Sequence, residues 1–325
     1  MFSEASAAPG GQPVASVIIP NYNGWRFLPT CLDSLRRQTV QGFEIILVAN
    51  ASTDGSVDLV ARHYPEVRCL VREDNRSFFS GAVNLGIRAA RSEVVFLLNN
   101  DTELDERCLG ELLAGLDAHP ECGMAAAKMR LFDRRNTLHA AGDYYGVDGI
   151  PGNRGVWEQD KGQYDDAEYV FAACGGAGAY RKSLFEDIGY FDEDFVGYCE
   201  DVDLGWRAQL AGYRCVFVPS AVIYHRLSAT GGGAVASFYT GRNTISVIVK
   251  DVPGELIRRH WRRMAAAQAR VTWDALRAWQ GDAARARLRG QAAGVLSIPR
   301  TLSKRRAVQA TRRVDLAYLE SVLRP

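Results

Sequence analysis

Apolar and polar positions alternate between two periods along the first hundred residues. Val14 to Ile19 is a β-branched run stopped by Pro20, and Trp25 to Arg37 has helical spacing through Phe27, Leu28, Cys31, Leu32 and Leu35. Phe43 to Val48 predicts a second strand, after which Asp54-Gly55-Ser56 opens a helix through Val57, Leu59 and Val60. Val67 to Val71 predicts a third strand and Ala82 to Ala90 a helix. Val94 to Leu98 then predicts a fourth strand that stops abruptly on Asn99, Asn100 and Asp101. Short, fully apolar strands separated by helices are the pattern of a parallel sheet covered on both faces. Right-handed crossovers bring the carboxyl ends of such strands to one edge, where open α/β sheets bind their ligands. The predicted fold class is α/β, a doubly wound, mostly parallel sheet.

The pattern changes after Asp101. Glu106 to Leu116 is helical, Met124 to Met129 reads as a strand, and Phe132 to Phe171 is rich in Gly, Tyr, Asp and Arg without a period. Such a stretch fits hairpins and loops that bind a substrate on a rigid core. A helix is expected near Arg181 to Ile188 and another from Glu200 through Leu204, Trp206 and Leu210. Tyr213 to Val218 reads as a strand broken by Pro219, with Val222 to His225 a further strand. Leu256 to Ala278 and Ala283 to Leu323 have mostly helical spacing, and Pro299 is expected to divide the second. Met1 to Pro13, rich in Ala, Gly, Ser and Pro, lacks a basic start before an apolar segment and reads as a disordered tail, not a signal peptide.

With 325 residues and 47% hydrophobic content the chain has room for a large core. Its net charge of +1 hides an asymmetry, because residues after Gly254 carry 16 Lys/Arg against 5 Asp/Glu while the first 254 carry 23 against 33. No uncharged apolar run approaches the ~18 residues of a spanning helix, so membrane contact would be peripheral. The seven cysteines are odd in number, scattered and without a CxxC pair, which favours reduced structural thiols in a cytosolic protein over a disulfide frame or zinc site. There is no GxGxxG and no P-loop.

Two early loops, Asn21-Tyr22-Asn23-Gly24 and Asn50-Ala51-Ser52-Thr53-Asp54-Gly55, share the predicted edge with Asn99 to Asp101. Each alone also reads as turn and cap residues, but together they offer an aromatic face for a base (Tyr22) and hydrogen-bonding groups for its edge or the ribose (Asn50, Ser52). Asp101 adds a carboxylate for a cation between phosphate oxygens, and a nucleoside diphosphate fits that set. Glu200-Asp201-Val202-Asp203 places carboxylates at a helix amino terminus, where the dipole also favours acids. His225 brings an imidazole to another strand end, as a structural group or as a ligand.

The ordered series Val17-Ile18-Ile19-Pro20-Asn21-Tyr22-Asn23-Gly24, Ala49 to Ser56, Asn99-Asn100-Asp101, Glu200-Asp201-Val202-Asp203-Leu204 and Pro219 to His225 resembles the family 2 glycosyltransferases of the GT-A fold, above all the rhamnosyltransferase-like members, over residues 14 to 250. The resemblance implies a nucleotide side formed by Pro20, Tyr22, Asn50, Ser52, Asn84, Asn99 and Asn100. It implies Asp101 as ligand of Mg²⁺ or Mn²⁺ with His225 beside it, and Asp201 as catalytic base. Glu200, Trp206, Arg207 and Gly176 fall to supporting or acceptor-side roles, with Glu200 and Asp203 capping the helix or orienting Asp201 and Arg207. Arg242-Asn243 resembles a late motif of the same subgroup. Ala49 stands where the family usually has Asp, and Ser77 where a loop glycine is usual.

The implied layout is a catalytic domain over 14–254, with a nucleotide-binding half near 14–101 and an acceptor-binding half near 102–254, followed by a basic helical extension over 255–325. The implied reaction is inverting transfer of a sugar, first L-rhamnose from dTDP-rhamnose, to a hydroxyl of a glycan or lipid-linked acceptor in cell-wall or polysaccharide biosynthesis. One base and one metal suffice for it. Basic amphipathic helices suit an anionic membrane surface, here the inner face of the cell membrane, and equally a solvated face or a dimer contact. Few aromatics interleave with the charges beyond Trp261, Trp273 and Trp279, which disfavours a nucleic-acid partner. No Gln-x-x-Arg-Trp motif occurs, against a processive synthase. The rival readings are a nucleotidyltransferase, which would release pyrophosphate, and a non-catalytic sugar-nucleotide-binding protein.

Overall fold

The computed structural model describes residues 11–226 and 232–325, so most of the segment expected as a tail lies outside the described residues. Four strands, β1 (Ser16–Asn21), β2 (Glu44–Asn50), β3 (Val67–Arg72) and β4 (Val94–Leu98), form the parallel run β3-β2-β1-β4. Between them lie α1 (Leu28–Arg36), α2 (Ser56–His63) and α3 (Phe78–Ala89). Successive residues of β1 point to opposite faces. Val17 and Ile19 pack with Leu28, Leu32 and Leu35 of α1, whereas Ile18 packs with Val83 and Ile87 of α3. Both faces are therefore buried, the physical reason these strands read as unbroken apolar runs.

The second half continues the sheet. β5 (Thr102–Leu104), α4 (Cys108–Ala118) and β6 (Cys122–Leu131) lead to β7 (Leu138–Ala141) and to the small hairpin of β8 (Asp143–Tyr145) with β9 (Pro151–Asn153). After β10 (Tyr169–Val170), β11 (Ala177–Arg181) runs antiparallel between β4 and β6, followed by α5 (Lys182–Ile188) and α6 (Glu200–Ala211). The last strand, β12 (Arg214–His225), pairs parallel with β6. Six strands thus share one direction, and β1, β2, β4 and β12 end at one edge. Pro219 does not break β12 as expected. The register jumps there, from Val218 opposite Ala127 to Val222 opposite Lys128, so a bulge absorbs the missing N–H and one long strand carries on to His225.

After α7 (Gly233–Lys250), within the span expected for the catalytic domain, the remainder of the chain is mostly helical: α8 (Gly254–Arg277), α9 (Asp282–Leu296), α10 (Ile298–Ala310) and α11 (Leu316–Ser321). Pro299 sits in the first turn of α10, where its missing N–H costs nothing. These helices share a buried cluster with the sheet domain, in which Tyr145, Phe171 and Trp206 meet Val252, Leu256, Met264 and Leu319. Part of the positive charge pairs with acids of the preceding residues: Lys304 with Asp192 (2.6 Å), Arg313 with Asp187 (2.7 Å) and Arg300 with Asp194. Arg305 donates to the carbonyls of Val249 and Val252. Arg258, Arg262, Arg263 and Arg306 remain on the surface. All seven cysteines are free thiols, and no helix among the described residues is long and apolar enough to cross a membrane.

Candidate active site

The carboxyl ends of β1, β2 and β4 open into a cleft of about 430 Å³, closed on its other side by the start of α6, the β8/β9 hairpin and the end of β12. Pro20, Tyr22, Asn50, Asn99, Asn100, Asp101, Gly176, Glu200, Asp201 and His225 all line it. On the side of β1, β2 and β4 the wall is braced from within. Asn100 donates to Asn21 Oδ1 (2.6 Å), and Asn21 donates to Ser56 Oγ (3.0 Å). A Cβ on Gly24 would lie 2.1 Å from Asn100 Nδ2, so only glycine leaves space for that pair. Asn50 donates to the Phe78 carbonyl (2.9 Å) and accepts from Arg72 (2.9 Å), whose other nitrogen reaches Ser77 Oγ (2.8 Å). Each polar atom of Asn50 therefore has one further bond left for a ligand. Ser77, where a glycine is usual, is an acceptor for Arg72.

Four expected residues lie elsewhere. Ser52 is not on the cleft; its hydroxyl joins the Asn21 and Asn23 backbones (3.3 and 3.1 Å) and so braces the first loop. Asn84 is buried in α3, where its amide pairs with the Phe191 backbone in both directions (2.9 and 3.0 Å). Trp206 is wholly buried among Tyr145 and Phe171. Arg207 is spent on Asp203 (2.9 Å) and the carbonyls of Ile188, Gly189 and Tyr190. Asp203 also turns away from Asp201. Burial alone would raise its carboxyl, but Lys250 and Arg207 hold it below the usual carboxylate range. The spacing of α6 explains the split, because Asp201 at the amino end faces the cleft while Asp203 and Arg207, one turn apart, face inward.

Asp201 Oδ2 accepts from the Gly175 N–H (3.0 Å) and Oδ1 from its neighbour Val202 N–H (2.8 Å). Burial raises its carboxyl above the usual range while those N–H groups hold it back. Glu200 and Asp143 are pushed well above that range, by burial first and then by the Asp201 charge, and Glu200 Oε2 has no hydrogen-bond partner among the described residues. Three buried carboxyls cannot all ionise together, and Asp201, with two backbone donors, is the one that ionises first. The chain enters α6 through Val196, Tyr198 and Cys199, all at positive φ (67°, 66° and 64°), a conformation that costs each side chain about 1–3 kcal/mol. Asn243 offsets it, its amide nitrogen lying 3.0, 3.0 and 2.6 Å from the carbonyl oxygens of Phe195, Gly197 and Tyr198.

At the far end, His225 Nε2 lies 3.2 Å from Asp101 Oδ1, and His225 Nδ1 faces His139 Nδ1 at 3.2 Å with the rings stacked. Burial, then His225, lower His139 to a pKa of about 4, so His139 is neutral near pH 7. A carboxylate beside an imidazole is a donor set that fits a divalent cation, Mn²⁺ better than Mg²⁺. His139, Asp143, Asn153 and Arg72 were not legible as site residues. The first three lie in the stretch without a period; Arg72 directly follows the third predicted strand and ends β3 opposite Asn50, and that was its available signal.

The family model described as glycosyl transferase family 2 matches residues 16–189, more than half of the chain. The chain belongs to glycosyl transferase family 2. Among curated family relatives, it is 30% identical over 233 residues to the O-antigen biosynthesis protein RfbC of Myxococcus xanthus, covering 68% of this chain but only 18% of that protein. It is 29% identical over 241 residues to an N-acetylglucosaminyl-diphospho-decaprenol L-rhamnosyltransferase of Mycobacterium tuberculosis, covering 67% of this chain and 78% of that enzyme. This glycosyltransferase is thus rhamnosyltransferase-like. Its fold is that of GT-A structures such as the Pyrobaculum calidifontis mannosyltransferase PcManGT, solved with GDP-Man and Mn²⁺, at a TM-score of 0.55 and 18% identity over 98% of this chain and 81% of that one. GalNAc-T7, solved with UDP, GalNAc and Mn²⁺, aligns at 0.58 and 17% over 73% of this chain and 47% of that one.

Proposed function

We propose that this glycosyltransferase moves a sugar from a nucleoside-diphosphate donor to a hydroxyl of a lipid-linked or glycan acceptor, with inversion, and that L-rhamnose from dTDP-rhamnose is the first donor to test. The observation that carries this reading is the opening of Asp201 and of the Asp101–His225 pair onto one cleft whose opposite wall is built from Tyr22, Asn50 and Asn99. The rhamnosyltransferase name of the mycobacterial relative supports the sugar and a diphospholipid acceptor. The reading divides the labour between a donor half near 14–101 and an acceptor half near 102–254. Surface arginines of the extension, beside Trp261, would hold the chain to an anionic membrane.

Asp201 acts as general base. Its ionised carboxylate takes the acceptor hydroxyl proton as the oxygen attacks the anomeric carbon opposite the leaving diphosphate, a single displacement. Protonated Glu200 and Asp143 keep the pocket from gathering further negative charge next to the base. Asp101 and His225 would hold the divalent cation, which when bound neutralises charge on the leaving diphosphate. Tyr22 offers its ring to the base, and Asn99 and Asn50 their remaining bonds to the nucleoside. Incubating the chain with a panel of nucleotide sugars and a prenyl-diphosphate-linked sugar, with Mn²⁺ or with a chelator, tests this. Metal-dependent nucleoside diphosphate release and an inverted product are expected. Pyrophosphate release would indicate nucleotidyl transfer, binding without turnover a non-catalytic protein, and a retained anomer would overturn the mechanism.

A further inference from the structure

A second groove, of about 480 Å³, lies between α7, the end of α8 and the start of α9. It shares Pro151 and Thr240 with the catalytic cleft, so the two adjoin on the acceptor side. Ile150, Val271, Ala275 and Ala283 make much of its wall apolar. Its one basic lining residue is Arg287 of α9. The Arg287 stem crosses α7 where Gly241 has no side chain: a Cβ there would lie 3.1 Å from Arg287 Cδ. The guanidinium feels the Cys199 thiol at the edge of the cleft, and burial pulls it below its usual basicity. Unlike Arg285, Arg300, Arg305 and Arg313, it has no hydrogen bond or ion pair with any described residue. Asp274 lines the same groove without pairing with it.

A half-buried cation without a counter-ion is costly unless an anion arrives. An apolar groove leading away from it adds the complement of a chain attached to that anion. At this end of the groove the last turns of α8 carry Trp273 and Leu276, and the turn into α9 carries Trp279, all at least half exposed. Tryptophans of this kind sit at the boundary between water and lipid.

We propose that Arg287 binds the phosphate of a phospholipid-linked sugar acceptor, whose hydrocarbon chain leaves along the α7/α8/α9 groove past Trp273 and Trp279 toward the membrane. This rests on the reading of the cleft as a sugar-transfer site and adds to it the residue that orients the acceptor. Charge, apolar lining and continuity with the cleft match a lipid phosphate and not a free anion, which would gain nothing from Val271 or Ala275.

The test uses the full chain in a chelating buffer, so that a diphosphate cannot gain affinity from metal at Asp101. Farnesyl diphosphate, farnesol and inorganic pyrophosphate are titrated by calorimetry into the native protein and into Arg287→Gln, Arg287→Lys and Val271→Asp. Farnesyl diphosphate should bind best, lose about tenfold or more in Arg287→Gln, recover in part in Arg287→Lys, and weaken in Val271→Asp. Unchanged farnesyl diphosphate affinity in a folded Arg287→Gln, with the native thermal midpoint, overturns the proposal. Pyrophosphate binding as tightly as the lipid probe also overturns it, in favour of a bare anion site. Donor turnover without Arg287-dependent lipid binding removes only the groove. Arg287-dependent lipid binding without turnover of any nucleotide sugar leaves the groove and removes the transfer reading.

Discussion

The side-chain amide of Asn243 lies 2.6 Å from the main-chain carbonyl oxygen of Tyr198, three residues before Asp201. A single amide from α7 thereby holds three carbonyls, those of Phe195, Gly197 and Tyr198, in the strained segment at the entrance to α6, and Arg242 adds a bond to the carbonyl of Phe195 (3.0 Å). The position of the candidate base is set from outside its own helix.

Asn243→Ala should therefore lower stability by about 1–3 kcal/mol, the cost of leaving buried carbonyls unpaired, and lower kcat more than it changes the affinity for donor nucleotide. Urea denaturation and nucleoside diphosphate titration read the two effects separately. An unchanged kcat in the destabilised variant would confine Asn243 to folding.

Asp201→Asn should cut kcat by about 10²–10⁴-fold while leaving nucleotide binding near native. In the native protein kcat/KM should rise with pH through a value above the ordinary carboxylate range, because burial favours the protonated form of Asp201 and only the ionised form accepts a proton. An acidic limb at or below the ordinary aspartate value contradicts the assignment.

Asp101 is the one carboxylate of the Asn99-Asn100-Asp101 turn, so cation binding should depend on the donor's own phosphate oxygens. Mn²⁺ binding, followed by the paramagnetic signal of the free ion, should be weak alone and tighten when nucleoside diphosphate is added. Asp101→Asn should abolish the tightening, and His225→Gln should reduce it. Equal Mn²⁺ affinity with and without nucleotide would place the cation elsewhere.

Lys250 bridges buried Asp203 and Asp192, the latter at 2.7 Å. Lys250→Met removes one of two cations from each carboxylate, Arg207 staying on Asp203 and Lys304 on Asp192, and should destabilise the fold by about 1–3 kcal/mol. Burial opposes ionisation of both acids, but their cations hold them below the usual carboxylate range. Their contribution is thus present above the ordinary carboxylate pKa and lost as pH falls through the depressed values. Acid unfolding should begin at higher pH in the variant, and denaturation curves between pH 2 and 7 measure that shift.

The amino-terminal half of the sheet was legible because β1, β2 and β4 are buried on both faces and are therefore mostly apolar, whereas the edge strand β3 is only partly buried. The residues that break those runs, Pro20, Asn50 and Asn99 to Asp101, necessarily lie at the ligand edge. Asp143 and His139 were not legible. They sit on short hairpin strands within an aperiodic stretch, and periodicity encodes how a segment is buried, not which distant loop it will meet. Trp206 and Arg207 lie off the cleft for a related reason: proximity in sequence to Asp201 does not settle which side of α6 faces it.

The charge asymmetry divides the two levels most clearly. Sequence alone determined that a basic helical segment follows an acidic α/β domain, and the order of its polar strand ends determined the family. Tertiary structure decided where the charge goes, by pairing Lys304, Arg300 and Arg313 with Asp192, Asp194 and Asp187 while leaving Arg287, beside the cleft, without a partner among the described residues. A count of charges is fixed by composition, but whether a cation is neutralised depends on distances of a few ångströms, which only the packed chain sets.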